Sequence, residues 1–496
     1  NSLFFYLSNI LFMIYSFYKL CLFFKRFNFH VFFILFLMSC SPDSENLTSL
    51  FDVSVSVKGN GTVSSSQFDV IANTIISITA TPNEGYYFDR WQGSGEVNES
   101  ETLDLLVNQA YVLTAIFLPF PTLNESVEVY NPKKIDSSPV FMIKSGGTQA
   151  LLTDKTGFNL QTYDFTSKLG NDLELLPDGN LIGLFKPETV SFSFGGYGGI
   201  LRKLSPAGEI IWEYIVNTEN ELLHHDFEIL PNGNILLMIW ERFTASQSIA
   251  LGYEGDGPIY LEKISEFNPE SFEIVWEWRS VDHLIQDHLE SAPSYGVVSD
   301  HPEKINLNYS VNQTGDLMHA NGLFYDESRN VIYLSVNFFS EVWVIPHEYS
   351  TNENRTDLAD LSFRFGNPSA FDNNSKRFFY NNHHPTLAKY DPLTEGYFLI
   401  YMNGFQDLQS IVYEFILPSN FDQNPSNWET PEVSWSFTDQ DLFNAKISGA
   451  YRLPNGNTLI CEGNYGYWEV TRSGEVVWKF NGGGPNYWRG YIYPNY

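Results

Sequence analysis

Histidines recur at one place in this chain, the start of a repeated hairpin. Imidazoles so placed can act as nucleophiles, as acids and bases, or as metal ligands. The stretch HHDFEILPNGNILLM at 224–238 holds two histidines, an apolar run, a Pro-Asn-Gly-Asn turn and a second apolar run. It reads as strand, tight turn, strand. Related phrases are DLELLPDGNLIGLF at 172–185, HANGLFYDESRNVIYLS at 319–335, HHPTLAKYDPLTEGYFLIY at 383–401 and GAYRLPNGNTLICEG at 449–463. Aligned on their turns, Asn171, His225 and Ser448 share a register, and His319 and His383, or its neighbour His384, take a similar place. A lone histidine at a strand start is ordinarily a structural hydrogen-bonding group. A set at one repeat position, where other repeats carry Asn or Ser, argues for a common site. No carboxylate or thiolate obviously completes a metal set, so no metal and no cofactor is expected. His224 is expected to face away from that site.

The elements around the histidines must bring distant residues together. Each hairpin is followed by a third strand: ILRKLS (200–205), YLEKISEF (260–267), EVWVI (341–345), SIVYEFIL (410–417) and YWEVT (467–471). A fourth often follows, with an acidic residue, apolar residues and Trp: GEIIWEY (208–214), FEIVWEW (272–278), PEVSWSF (431–437) and GEVVWKF (474–480). With VFMIKSGGTQALLTDKTGFNLQTYDF at 140–165 this makes six repeats. Four strands per unit, repeated radially, predict an all-β fold, a six-bladed β-propeller with a small β-rich module before it. The first strand of each blade lines the central channel, so histidines at its entry point to one axis. A segment near 120–140 is expected to lend a closing strand. Long insertions fall at 239–258, 280–316 and 346–378.

Composition agrees. The 496 residues are 16% aromatic, with 35 Gly and 24 Pro, which favours β structure and turns. The net charge is −31, and residues 1–39 carry three bases and no acid. The body is therefore more acidic still, which argues against nucleic acid as a partner. Of Cys21, Cys40 and Cys461, only the last falls in a foldable region, so no disulfide framework is expected.

From Lys25, residues 1–39 read as a basic region, an apolar run and a small residue before a cysteine, a secretory leader. Leu37-Met38-Ser39-Cys40 resembles the lipobox of bacterial lipoproteins. That implies lipidation of Cys40, a membrane anchor and an exported protein, periplasmic or at the cell surface, with residues 40–50 as a tether. Residues 51–118 alternate with period two between Gly and Pro turns. FDVSVSVKGNGTVSSS, ITATPNEGYYFDRWQG and YVLTAIF resemble the β-rich repeat related to internalin B-repeats, a non-catalytic spacer. Tyr86, Tyr87 and Trp91 are read as its own core. PFPTLNESVEVYNPKK at 119–134 reads as a linker, and 135–496 as the propeller.

HDFEILPNGNILLM, HANGLFYD with VIYLS and EVWVI, NHHPTLAKYD with FLIYMNG, and RLPNGNTLICEG with WEVTRSGEVVWKF resemble the bacterial arylsulfate sulfotransferase family. The resemblance implies that a sulfuryl group passes, without a nucleotide donor, from an aryl sulfate to a histidine and then to a phenolic acceptor. It implies that His383 is the histidine sulfated, with His384 open as the alternative because the segment reads Asn-His-His. It also implies that His225 and His319 are the other two histidines, and that Asn321 binds substrate. The family has an arginine where this chain carries Asn337; Arg279 and Arg364 are candidates to replace it. The alternatives are a non-catalytic propeller that binds sulfated or aromatic ligands, and a metal-dependent hydrolase or lyase.

Overall fold

The computed structural model describes residues 49–94, 96–389, 396–421, 424–425 and 428–493. The leader and Cys40 lie outside the described residues. Two units divide at Leu118 and Pro119.

In the first unit, period-two alternation becomes two sheets. The strand Leu50–Lys58 pairs in parallel with Tyr111–Pro119 and antiparallel with Gln67–Ile71. Thr74–Pro82 and Thr102–Val107 form the second sheet with Gly61–Val63. Trp91, Phe88, Leu113 and Phe117 are buried between them. Tyr86 and Tyr87 are half-buried, with Tyr86 packed against this core. Gly59 has φ of +96°, and a Cβ there would meet the carbonyl oxygen of Phe117 at 2.0 Å. Only glycine fits that turn.

In the second unit, turn chemistry sets the strand boundaries. In each Pro-Asp/Asn-Gly-Asn turn the glycine N–H donates to the residue three back, as Gly179 does to Leu176 at 2.9 Å and Gly233 to Leu230 at 2.9 Å. Each of these glycines has φ above +80°. This is a type I turn closed by a left-handed glycine, which joins strands antiparallel.

Five sheets begin on a strand that the sequence marks: Leu169–Leu175, Glu221–Ile229, Ala320–Asp326, Asn382–Leu387 and Gly449–Arg452. The sixth holds Val140–Lys144, Gln149–Thr153 and Asn159–Asp164, and its first position is filled by Tyr487–Ile492. The six inner strands touch one another in a closed cycle, the arrangement of a β-propeller. The ring is therefore closed by residues 487–492, which the sequence reading left unassigned. The segment near 120–140 does lend a strand, Val127–Tyr130, but at the outer edge of the last sheet against Val476–Asn481. Part of the expected linker is thus sheet. Phe363–Phe365, inside the expected insertion, is the fourth strand of its sheet.

The tryptophans of the fourth strands tie neighbouring sheets. Trp278 donates its indole N–H to the carbonyl of Ala359, Trp435 to Arg472 and Trp478 to Lys155. The last of these joins the final sheet to the first. Beside it, Lys155 is paired with Glu469, both buried. Breaking a buried pair strands a charge, so Glu469→Ala should destabilise the protein by about 3–5 kcal/mol. Denaturant unfolding measures this. A loss under about 1 kcal/mol would mean the pair behaves as an exposed one.

Candidate active site

A shared backbone device presents the histidines. Against the next strand, register shifts occur between Leu223 and Phe227, between Ala320 and Gly322, and between His383 and Thr386. At or beside these bulges His225, His319 and His384 have φ of +52°, +49° and +57°, and Ser448 has +110°. Left-handed backbone at a bulge turns one side chain out of the strand's alternation. By this criterion His384, not His383, is the repeat partner of His225 and His319.

The side chains point elsewhere. The rings of His225 and His319 are 4.9 Å apart and nearly perpendicular. Trp488, on the closing strand, lies 5.9 Å from His225 and 6.2 Å from His383. His225, His319 and His383 thus gather around the ring-closing strand. His384 faces Tyr491 at 6.5 Å, and its Nδ1 accepts the N–H of Ala450 at 3.2 Å. It lines a cavity of about 110 Å³ with Glu174, Glu228, Lys389 and Arg489. A Cβ at Gly449 would meet its Nδ1 at 2.4 Å, so that glycine makes room for the ring.

His383 is 4% exposed. Its Nδ1 is 2.6 Å from Asn403 Oδ1, while Asn403 Nδ2 donates to the carbonyls of Asn444 and Ile447. Those two donations orient the amide, so its oxygen faces His383 and Nδ1 carries the hydrogen. Nε2 is left with its lone pair. Burial, with His319 and Arg489 nearby, pushes the pKa of His383 down to about 3, against the weaker support of Asn403. The ring is neutral at ordinary pH.

His319 is the opposite case. Burial works against its charge, but Asp316, with Oδ2 at 2.5 Å from Nδ1, raises its pKa above 6.5. Phe338, 38% exposed, stacks on its ring at 4.7 Å. His225 is held neutral, first by burial and then by His319, His224, His383 and Arg489. The backbone of Gly195 and Gly196 runs against His319 and His225; a Cβ on Gly196 would meet His225 Nε2 at 2.0 Å.

The two asparagines serve His383 through its backbone. Nδ2 of Asn321 and Nδ2 of Asn337 donate to the carbonyl of Asn382, at 2.7 Å and 3.3 Å. Asn337 Oδ1 accepts from Asn381 Nδ2 at 2.8 Å. Both amide nitrogens are thus given to the residue before His383. Asn171 Nδ2 donates to the Gly196 carbonyl at 3.0 Å, and Ser448 Oγ accepts the N–H of Gly463.

The arginine candidates are corrected. Arg279 forms a two-pronged pair with Glu241 at 3.0 Å and 2.6 Å. Arg364 is buried against Glu341 and the carbonyls of Pro302 and Lys304. The guanidinium whose charge acts on His225, His383 and His384 is that of Arg489. Its NH1 is 2.6 Å from Asp226 Oδ1, its NH2 donates to the Asn321 carbonyl at 3.3 Å, and its Nε is buried without a partner. Only recognition of YWRGYI as the ring-closing strand would have revealed it. His224 lies behind His225: it is fully buried, stacked on Trp240 at 3.9 Å, with Nδ1 2.8 Å from His225 Nδ1. Among the described residues, no three His, Cys, Asp or Glu side chains are grouped to hold a metal.

Comparison with known proteins bears on both units. Residues 51–120 match the divergent InlB B-repeat domain. No curated protein sequence matches the chain. Among solved structures, the β-propeller domain of Cps50 (Swd1) from Myceliophteria thermophila is 9% identical, covering 73% of this chain and 92% of its own, with a TM-score of 0.35. Hydrazine synthase from Kuenenia stuttgartiensis is 12% identical, covering 78% and 100%, with a TM-score of 0.34. Likenesses this distant carry no argument about chemistry. Residues 138–478, the span holding every histidine of the site, match the arylsulfotransferase (ASST) family, and the chain belongs to that family.

Proposed function

We propose that this sulfotransferase moves the sulfuryl group of an aryl sulfate to His383 Nε2 and then to a phenol. The observation that carries the reading is the Asn403 amide. It fixes the hydrogen of His383 on Nδ1 and leaves a neutral, buried lone pair on Nε2. His319, held cationic by Asp316, suits the charge that spreads over the sulfuryl oxygens in the transition state. Arg489 is ion-paired with Asp226 at 2.6 Å and lies 3.9 Å from Asp172, so it adds no net positive charge. His225 is the neutral imidazole left to protonate the departing phenolate. Phe338 on His319 offers an exposed ring to an aryl group.

Incubation with 4-nitrophenyl sulfate without acceptor should add the mass of one sulfuryl group to the protein, on the peptide holding His383. A phenol added afterwards should remove it. Turnover without any labelled histidine would rule the covalent route out. The non-catalytic alternative rested on Asn337 in place of an arginine; the match to the arylsulfotransferase family favours transfer instead.

The lipid anchor and exported location remain part of the proposal and rest on the Leu37–Cys40 phrase. Cys40→Ser should move the protein from the membrane fraction to the soluble one. Unaltered fractionation would sink the anchor.

A further inference from the structure

A ping-pong transfer needs a proton twice, once to release the first phenol and once, in reverse, to take up the second. The structure holds a line of groups behind His225 that the reaction so far has not used. His225 Nδ1 and His224 Nδ1 face each other at 2.8 Å. At that distance one nitrogen carries the hydrogen and the other the lone pair. Beyond, His224 Nε2 is 3.0 Å from Glu262 Oε2. Neither atom has a hydrogen bond in this conformation, their contact lying off the line of a straight one, so transfer between them requires the carboxyl to turn toward the ring. The indole of Trp240 faces the same carboxyl without closing a bond of good geometry. Glu262 Oε1 is anchored by the N–H of Ala320 at 2.8 Å. His224 is held flat on Trp240, with the planes 6° apart. The line is fully buried and reaches the site by a hydrogen bond at His225.

The geometry points to Glu262 and His224 as a proton relay that switches His225 between acid and base in the two half-reactions. This rests on the sulfohistidine reading above. In the resting state Glu262 is the neutral acid. Its O–H donates to His224 Nε2, His224 Nδ1–H donates to His225 Nδ1, and His225 Nε2 carries a hydrogen. As His383 Nε2 bonds to sulfur and the aryl S–O bond breaks, the phenolate takes the Nε2 proton of His225. His224 passes its Nδ1 proton to His225 Nδ1, and Glu262 passes its proton to His224 Nε2. The carboxylate left on Glu262 carries the negative charge that the sulfate brought in, since the sulfated His383 is net neutral and the phenol leaves neutral. The acceptor phenol then gives its proton to His225 Nε2 and the line runs back. Its oxygen bonds to sulfur, the S–N bond breaks, and the pair returns to His383 Nε2. No imidazolate or second cation forms at His225.

Burial sets the resting protonation in agreement with this. It raises the pKa of Glu262 well above the ordinary carboxyl value, and lowers those of His224 and His225 well below that of a free imidazole. The titratable and charged groups facing the line are Asp316, His319 and Asp226 at His224, His319, His383 and Arg489 at His225, and Asp316 and His319 at Glu262.

The test is the leaving-group dependence of the first half-reaction, measured by rapid quench on the full chain with a series of aryl sulfates. Glu262→Gln keeps the bond to Ala320 and can still donate to His224, but it cannot give up a proton. It should lose about 10²-fold more rate with phenyl sulfate, whose leaving group is basic, than with 4-nitrophenyl sulfate. His224→Phe keeps the stack on Trp240 and should show the same steepening, with no further steepening in the double variant. Equal losses for all donors, as from a merely structural role, or an unchanged slope would overturn the relay. Absence of the His383 adduct in the unmodified protein would instead overturn the reading beneath it. An adduct that forms in both variants with an unaltered slope sinks the relay alone.

Discussion

His383→Asn is expected to lower turnover with 4-nitrophenyl sulfate by about 10⁴–10⁶-fold, the range seen when a covalent nucleophile is removed. His384→Asn is expected to cost far less, about tenfold. The two rings are neighbours in sequence and both are buried, so bulk disruption would affect them alike. Their chemistry differs. His384 Nδ1 is occupied by the Ala450 N–H, and its ring belongs with Arg489 and Tyr491. His383 has its tautomer set by Asn403 and its Nε2 free. Steady-state rates and the mass of the sulfuryl adduct check the contrast. Equal losses, or an adduct that persists in His383→Asn, would assign the nucleophile to the wrong ring. The nucleophile should also stay active in acid. Its pKa is pushed down to about 3, so an acid limb at pH 5–6 would have to come from another group.

The second large effect is expected at His319. His319→Ala should cost about 10²–10³-fold, as for loss of one preorganised charge-stabilising donor. The pH profile separates charge from packing. The pKa of His319 is raised above 6.5, so the cation persists past that value and is lost as pH rises through the folded pKa. Transfer should therefore fall on the alkaline side. The same linkage gives His319 a contribution to stability that is full below pH 6.5 and lost at higher pH. Asp316→Asn removes the charge that offsets burial. The alkaline limb of kcat/KM should then move to lower pH, with a slower rate above neutral pH. An alkaline limb that stays in place would mean that His319 does not supply the charge.

How much of this was legible beforehand differs by element. The turn phrases and the acidic-to-Trp strands are local patterns with local causes, a left-handed glycine and an alternating strand. They were enough for the propeller and for the histidine-bearing hairpins. The tryptophans even mark the ties between sheets, since the same indoles that define the pattern donate to the next sheet. The β module of residues 51–118 likewise follows from period two and from the turn at Gly59.

What the chain order could not show is which groups meet across the ring. Arg489 lies 263 residues from Asp226, and Asn403 is 20 residues from His383 across a strand pair. The bulge defeats register reasoning at the point that matters. A left-handed residue breaks the two-residue period, so alignment on turns cannot say whether His383 or His384 faces Trp488. The sequence alone determined the fold class, the repeat and the set of imidazoles, because strand period and turn chemistry act over a few residues. Tertiary structure alone placed Asn403 against His383, Asp316 against His319, Asp226 against Arg489 and His224 behind His225. Those depend on burial and on partners that only ring closure brings within hydrogen-bonding distance.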